Sequence, residues 1–122
     1  MKRKLSILLL LMAFFGCSKT ESPPAYLYKV VSVEDWEQSC GTVRLSSMDD
    51  AFIHLATKAQ LPKILDKYWS GVPEYVVLKV KTSKLPGRLV FETNPGGETK
   101  YYHLYDGSIP LDAVVDSKIH SQ

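Results

Sequence analysis

The sequence has few of the features that fix a fold or a chemistry by themselves. Its 122 residues include two cysteines, too few for a disulfide framework, so a hydrophobic core must hold the fold together. No His-x-x-x-His or Cys-x-x-Cys spacing is present, which argues against a zinc site. No internal repeat of structural length is visible, and the length suits one domain rather than two.

The charge of the chain is nearly balanced. Fifteen Lys and Arg stand against thirteen Asp and Glu, and three of the basic residues lie at positions 2–4. Without that basic start, twelve basic residues remain against thirteen acidic ones. They form no basic stripe of the kind that binds nucleic acid, so we exclude DNA and RNA as partners.

The first 17 residues, MKRKLSILLLLMAFFGC, have the order of a secretory signal. Three basic residues precede an apolar run over 5–15, which is too short to span a membrane as a permanent helix. The ending Phe15-Gly16-Cys17 resembles the processing box of bacterial lipoproteins. The resemblance implies cleavage before Cys17 and lipidation of that residue; an ordinary cleaved signal peptide with an incidental cysteine is the alternative.

These features divide the chain into three parts. We expect a signal peptide over 1–16, a lipidated cysteine and polar tether over 17–25, and a single domain over 26–122. The expected location is the cell envelope, where the lipid anchors the domain to a membrane surface. Cys40 is then the second cysteine, and we interpret it as a small buried hydrophobe near the end of a short helix. A nucleophile is the alternative, but no histidine or other base lies close to it in the sequence.

The first half of the domain contains two helix signals between strand signals. The run YLYKVVS at 26–32 predicts a strand, after which Ser32 caps a short helix. The compact strand FIHL follows at 52–55. Thr57 and Gln60 then have the spacing of a capping box for the longest helix, which is expected to be regular from about residue 61. Four residues of this helix recur at helical spacing and are expected to face the core: Leu61, Ile64, Leu65 and Tyr68.

The second half is read mainly as strands. Alternating apolar residues predict strands over 74–83 and 88–92. A closing strand is expected with Ala113, Val114 and Val115 as its apolar centre. Because strands outnumber helices, we expect the α+β class with a mostly antiparallel sheet.

Two motifs resemble a known family. DDAFIHLAT at 49–57 and YYHLYDGSIPLDAV at 101–114 are similar to the paired motifs of the uncharacterised proteins grouped as domain of unknown function 952. The first motif is matched at Asp50, His54 and their neighbours, and the second at His103. The resemblance implies an ADP-ribosyltransferase-like fold, a split and mainly antiparallel sheet with flanking helices and a cleft between its halves. It does not imply that activity, since the first strand has no His or Arg to hold nicotinamide.

The same motifs supply the candidate ligand-binding residues. His54 and His103 are expected in one cleft with Glu92, flanked by three further candidates: Thr57, Tyr105 and Trp36. Two imidazoles beside a carboxylate suit proton transfer or the binding of a polar ligand. The structural alternative is that each histidine donates to a backbone carbonyl and fixes a strand end.

Three functions are compatible with these patterns. The first is a membrane-anchored domain that binds a small, nucleotide-like molecule in the histidine cleft. The second is a non-catalytic module that docks on an envelope protein, and the third is a group-transfer enzyme related to ADP-ribosyltransferases. We expect no cofactor, because NAD and ATP are scarce outside the cytoplasm, and no metal. The sequence does not decide whether the protein is an enzyme.

Overall fold

A computed structural model of the chain describes residues 22–45, 49 and 51–122. The expected signal peptide, Cys17 and the motif residue Asp50 lie outside the described residues. Within them are two α-helices, α1 (Val33–Glu37) and α2 (Leu61–Tyr68). Eight strands are described: β1 (Tyr26–Ser32), β2 (Thr42–Val43), β3 (Ile53–Leu55), β4 (Glu74–Lys81), β5 (Arg88–Thr93), β6 (Lys100–Tyr105), β7 (Ile109–Pro110) and β8 (Val114–Ser121). No helix in the described part of the chain is long and apolar enough to cross a membrane.

The strands form three sheets. Two have three strands, in the orders β1-β4-β8 and β3-β6-β5, and β2 pairs with β7 in a small third sheet. Every pairing between these strands is antiparallel. The predicted α+β class with a mainly antiparallel sheet is confirmed.

The two three-stranded sheets share one hydrophobic core. Both contribute side chains that are buried completely or almost so: Leu27, Val76, Leu78 and Val80 from β1 and β4, and Ile53, Leu55 and Leu104 from β3 and β6. Burial of one such side chain contributes about 1.5–3 kcal/mol relative to exposure. Buried and more exposed side chains tend to alternate along these strands, because one face of each sheet is turned towards this core.

The predicted capping box forms at the start of α2. The backbone N–H of Thr57 donates to the Gln60 side-chain oxygen at 3.1 Å, and the Gln60 N–H donates to Thr57 Oγ1 at 3.2 Å. Regular helix begins at Leu61, as expected. Three of its apolar residues, Leu61, Ile64 and Leu65, pack against a second cluster formed by Val30, Trp69 and Tyr75.

Three local expectations are wrong. Tyr68 is exposed rather than in the core, because at this end of α2 the next residue, Trp69, is the aromatic side chain that enters the second cluster. Cys40 is exposed, with φ of 41°, because it lies in the turn that follows α1. Ala113 belongs to a 3₁₀ turn, Leu111–Ala113, that precedes β8, and Val115 is an exposed residue of that strand.

An isolated β-bridge connects the two three-stranded sheets. Tyr28 of β1 and Ala56, just after β3, pair in antiparallel orientation. The N–H of Tyr28 donates to the Ala56 carbonyl at 2.8 Å, and the N–H of Ala56 donates back at 2.9 Å. Residues 28 and 56 therefore hold one end of β3 against β1.

A close approach of two backbone segments fixes the turn after β6. A Cβ added at Gly107 would lie closer to the Pro86 carbonyl oxygen than real Cβ atoms ever approach such an atom. The neighbouring Gly87 has φ of 94° and faces Gly107 across this contact. A glycine is thus required at 107 by the space available.

We expect Gly107→Ala to destabilise the protein by about 1–3 kcal/mol, because the added methyl group must push two backbone segments apart. Urea denaturation followed by circular dichroism measures the free energy of unfolding. Gly71→Ala is the matched control, since a Cβ at Gly71 meets nothing within 4 Å. Equal effects of the two substitutions would contradict the steric explanation.

Candidate functional site

The register of β3 and β6 brings the two predicted histidines together. His54 lies directly opposite His103 in this antiparallel pair, and their ring centroids are 5.3 Å apart in an edge-to-face arrangement. Phe52 stacks on the His103 ring at 3.9 Å and contacts the His54 ring at 4.9 Å. The three rings therefore form one cluster at the end of the short strand β3.

His103 is fully buried and is held by side chains at both ring nitrogens. Its Nδ1 lies 2.8 Å from Glu92 Oε2, and its Nε2 lies 2.8 Å from Asn94 Oδ1. The carboxylate accepts the Nδ1 proton, and the Asn94 amide can present either its oxygen or its NH₂ group to Nε2. The partners of His103 are therefore two side chains rather than a backbone carbonyl.

Glu92 also accepts a hydrogen bond from the Tyr105 hydroxyl at the same oxygen, Oε2. The hydrogen bonds from Tyr105 and His103 hold the pKa of the Glu92 carboxyl below its ordinary value. The bond to Glu92, together with desolvation, raises the pKa of Tyr105. Three of the predicted residues thus form one network around His103.

His54 belongs to a second network, centred on Asp49. The ring N–H at Nδ1 of His54 donates to Asp49 Oδ1 at 3.0 Å, and the backbone N–H of His54 donates to the same oxygen at 3.1 Å. The ammonium group of Lys29 donates to it at 2.7 Å. The Asp49 side chain is 1% exposed and that of His54 is 31% exposed. Asp49 therefore fixes the orientation of a histidine ring that solvent and ligands can reach.

Lys29 is a buried cation in the first strand. Its exposed fraction is 4%, and desolvation lowers the pKa of its ammonium group. The carboxylates of Asp49 and, more weakly, Asp35 oppose this shift. The net direction is downward, so burial outweighs the two carboxylates.

A cavity of about 380 Å³ lies against the Lys29–Asp49–His54 cluster. Its size is within the range of small-molecule sites. Aromatic and aliphatic side chains form much of the wall, and Asn94, the partner of His103, also contacts the cavity. The lining residues are Tyr28, Lys29, Val30, Asp49, His54, Leu55, Ala56, Ile64, Tyr68, Trp69, Asn94, Pro95 and Tyr101.

The structure separates the six predicted site residues into groups. His54 lines the cavity, whereas the buried His103 and the partly exposed Glu92 and Tyr105 form the network that holds Asn94 at its wall. Thr57 caps α2. Trp36 borders a different surface depression, together with residues of β8.

Sequence reasoning missed three residues that line the cavity: Lys29, Asp49 and Asn94. Lys29 could have been found from the sequence, because it lies on the same face of β1 as the core residues Leu27 and Val31. A lysine at a core-facing position requires a buried counter-charge. Across the described ranges, no group of three or more His, Cys, Asp or Glu side chains is arranged to hold a metal ion.

Comparison with known proteins identifies the family. The sequence model of the family described as "Protein of unknown function (DUF952)" matches residues 30–117. The matched segment contains the network around His103, and Asp49 and His54 of the second network. Of the cavity lining, Tyr28 and Lys29 lie just before it. The chain belongs to this family. No protein with a curated function matches it.

Solved structures support the same conclusion. The chain is similar to the crystal structure of protein CC0527 from Caulobacter crescentus, with a TM-score of 0.68 and 28% sequence identity over 77% of this chain and 84% of that one. The solution NMR structure of CC0527 gives a TM-score of 0.67 and 27% identity over 78% of this chain and 84% of that one. The mainly antiparallel α+β fold is therefore shared with a protein studied by two experimental methods.

The lowered pKa of Glu92 makes stability depend on acidic pH. Ionised Glu92 stabilises the fold above its ordinary pKa of 4.5, and this contribution is lost as the pH falls through the lower pKa of the folded state. We expect Glu92→Gln to flatten the decrease of Tm between about pH 6 and pH 3, as measured by differential scanning calorimetry. Glu98→Gln, in the exposed loop after β5, is the charge-matched control. Parallel Tm curves for Glu92→Gln and the unchanged protein would contradict the assignment.

Proposed function

We propose that the protein binds a small molecule in the cavity beside Lys29, Asp49 and His54. The observation that carries the proposal is this polar cluster, with Lys29 and Asp49 buried and His54 accessible, on the wall of a largely apolar cavity. Protein sites for small molecules commonly combine an apolar wall with a few polar groups of fixed orientation. Residues with a perturbed pKa in a cleft are also typical of functional sites.

The walls indicate the chemistry of the ligand. Four aromatic side chains border the cavity: Tyr28, Tyr68, Trp69 and Tyr101. Such side chains favour a planar ring, which can stack on or pack edge-on against them. The ammonium group and the imidazole at the polar end suit a hydroxyl, carbonyl or anionic group. A nucleotide-like molecule, with a planar base and polar substituents, has both parts.

We expect His54→Ala to fold normally but to lose ligand binding. The test is a thermal-shift screen of the full chain, in mild detergent, against nucleosides, nucleotides, nicotinamide and related planar compounds. A ligand at one hundred times its Kd stabilises a protein by about 2.7 kcal/mol, which raises Tm by on the order of 10 °C for a domain of this size. In the His54→Ala variant this increase should disappear.

His120→Ala is the matched control, because His120 lies on β8 and stacks on Tyr75 away from the cavity lining. It should retain the full increase in Tm. A His54→Ala variant that binds as well as the unchanged protein would overturn the proposal. A complete absence of hits would favour the alternative of an envelope module that docks on a protein.

We further propose an ADP-ribosyltransferase-like arrangement for this fold. The support for it is two three-stranded antiparallel sheets that share a core, with a cavity beside the bridge that joins them. The proposal concerns architecture alone. β1, Tyr26–Ser32, contains no His or Arg that would hold nicotinamide, so no ADP-ribosyl transfer is proposed.

The cellular location that we propose is a membrane surface in the cell envelope. Its support is the order of basic residues, apolar run, Gly16 and Cys17 at the start of the sequence. Acyl chains on Cys17 would anchor the domain, since two or more chains bind a bilayer stably.

We expect Cys17→Ser to move the protein from the membrane fraction to the soluble fraction, or to leave it as an uncleaved precursor. Fractionation of expressing bacteria with immunoblotting detects the change, and mass spectrometry of the unchanged protein should show the mass of the acyl chains. Cys40→Ser is the matched control and should remain in the membrane fraction. Equal partition of the two variants, with the Cys17→Ser variant cleaved normally and no acyl mass on the unchanged protein, would refute the lipid anchor.

A further inference from the structure

Lys29 has an unusual position for a lysine. Its side chain is 5% exposed, yet it lines a cavity large enough for a small molecule. Lysine side chains are almost never fully buried unless they are paired. Asp49 provides that pairing through a single oxygen at 2.7 Å, which accounts for one of the three N–H groups of the ammonium.

We propose that Lys29 is a reactive amine that captures a small aldehyde or ketone in the cavity as a Schiff base. This inference rests on the proposed binding function and names the chemical class of the ligand. Buried lysines are suited to this chemistry, because the neutral amine is the nucleophile and an apolar surrounding favours the neutral form. The carboxylates of Asp49 and Asp35 act on this amine, and Asp49 is also hydrogen-bonded to the His54 ring.

The surrounding residues fit each proton transfer. The Lys29 ammonium first gives a proton to the Asp49 carboxylate, which is already hydrogen-bonded to it. The nitrogen lone pair then forms a bond to the carbonyl carbon, and the π electrons of the carbonyl move to its oxygen. That oxygen takes one proton from the attacking nitrogen and one from Asp49, and leaves as water when the C–O bond breaks. The remaining proton on nitrogen is retained in the protonated imine, or passes to the Asp49 carboxylate when the neutral imine forms.

The overall reaction is balanced without any further reactant. A carbonyl compound and the amine give an imine and one molecule of water, and hydrolysis of the imine reverses the process. Capture is therefore reversible, and the aromatic wall of the cavity selects carbonyl compounds that carry a planar ring.

The test is competitive labelling of the full chain with benzaldehyde and sodium cyanoborohydride at neutral pH. The reducing agent converts each imine into a stable benzyl amine, and peptide mapping by mass spectrometry gives the extent of labelling at each lysine. Burial lowers the pKa of the Lys29 ammonium, so a larger share of this amine is neutral and nucleophilic at neutral pH. We therefore expect Lys29 to be labelled faster than the exposed Lys67 and Lys118.

A purely structural ion pair makes the opposite prediction. A lysine buried against Asp49 and closed to reagents would be labelled more slowly than the exposed lysines, and that result would overturn the proposal. The comparison is made within one sample of unchanged protein, so it does not depend on a variant that folds. Lys29→Arg retains the positive charge and should abolish the fast labelling at position 29 without changing the labelling of other lysines. Lys118→Arg should leave the fast labelling of Lys29 unchanged.

A second measurement separates this inference from the proposed function. Benzyl alcohol has the same ring as benzaldehyde but no carbonyl group, so it can occupy the cavity without forming an imine. An increase in Tm with benzyl alcohol, without fast labelling of Lys29, would retain the binding cavity and reject the Schiff base. If benzyl alcohol does not raise Tm and Lys29 is not labelled fast, both the binding cavity and the Schiff base are rejected.

Discussion

A buried ammonium group requires a counter-charge. For Lys29 this counter-charge is the Asp49 carboxylate, and the arrangement of the site depends on their pairing. A single carboxylate oxygen of Asp49 accepts from the ammonium, from the His54 ring and from the His54 backbone. This atom therefore connects β1, the loop before β3 and β3 itself. Loss of one partner from a buried pair leaves a charge uncompensated, at a cost of about 3–5 kcal/mol. The wall of the cavity is thus determined by electrostatics as much as by packing.

The two histidines occupy similar sequence contexts but different chemical environments. His54 is partly exposed and is oriented by a carboxylate, whereas His103 is fully buried between a carboxylate and an amide. Their direct pairing across β3 and β6 makes both environments depend on one strand register. A shift of β3 by one residue would turn His54 to the opposite face of the sheet and separate it from His103. The network around His103 therefore acts as a support, since it holds Asn94 at the wall of the cavity.

Local sequence patterns were sufficient for much of the fold. β1, the helix cap at Ser32, the capping box of α2 and the family could all be predicted, because each is encoded by neighbouring residues. The site required information that is not local. Lys29 and Asp49 are 20 positions apart, and only the pairing of two sheets brings them together. The two-residue strands β2 and β7 are too short to show any periodicity, and the exposure of Tyr68 depends on where α2 ends.

The bridge between Tyr28 and Ala56 has a mechanical consequence. Both residues line the cavity, and their two hydrogen bonds connect β1 to the end of β3. A bound molecule would consequently lie across the joint between the two sheets, in contact with the residues that close it. The amide protons at 28 and 56 belong to this joint, so their exchange with solvent measures how often the sheets separate. Tyr28 and Ala56 both join the two sheets and line the cavity, so a bound molecule would contact the residues whose hydrogen bonds determine how often the sheets separate.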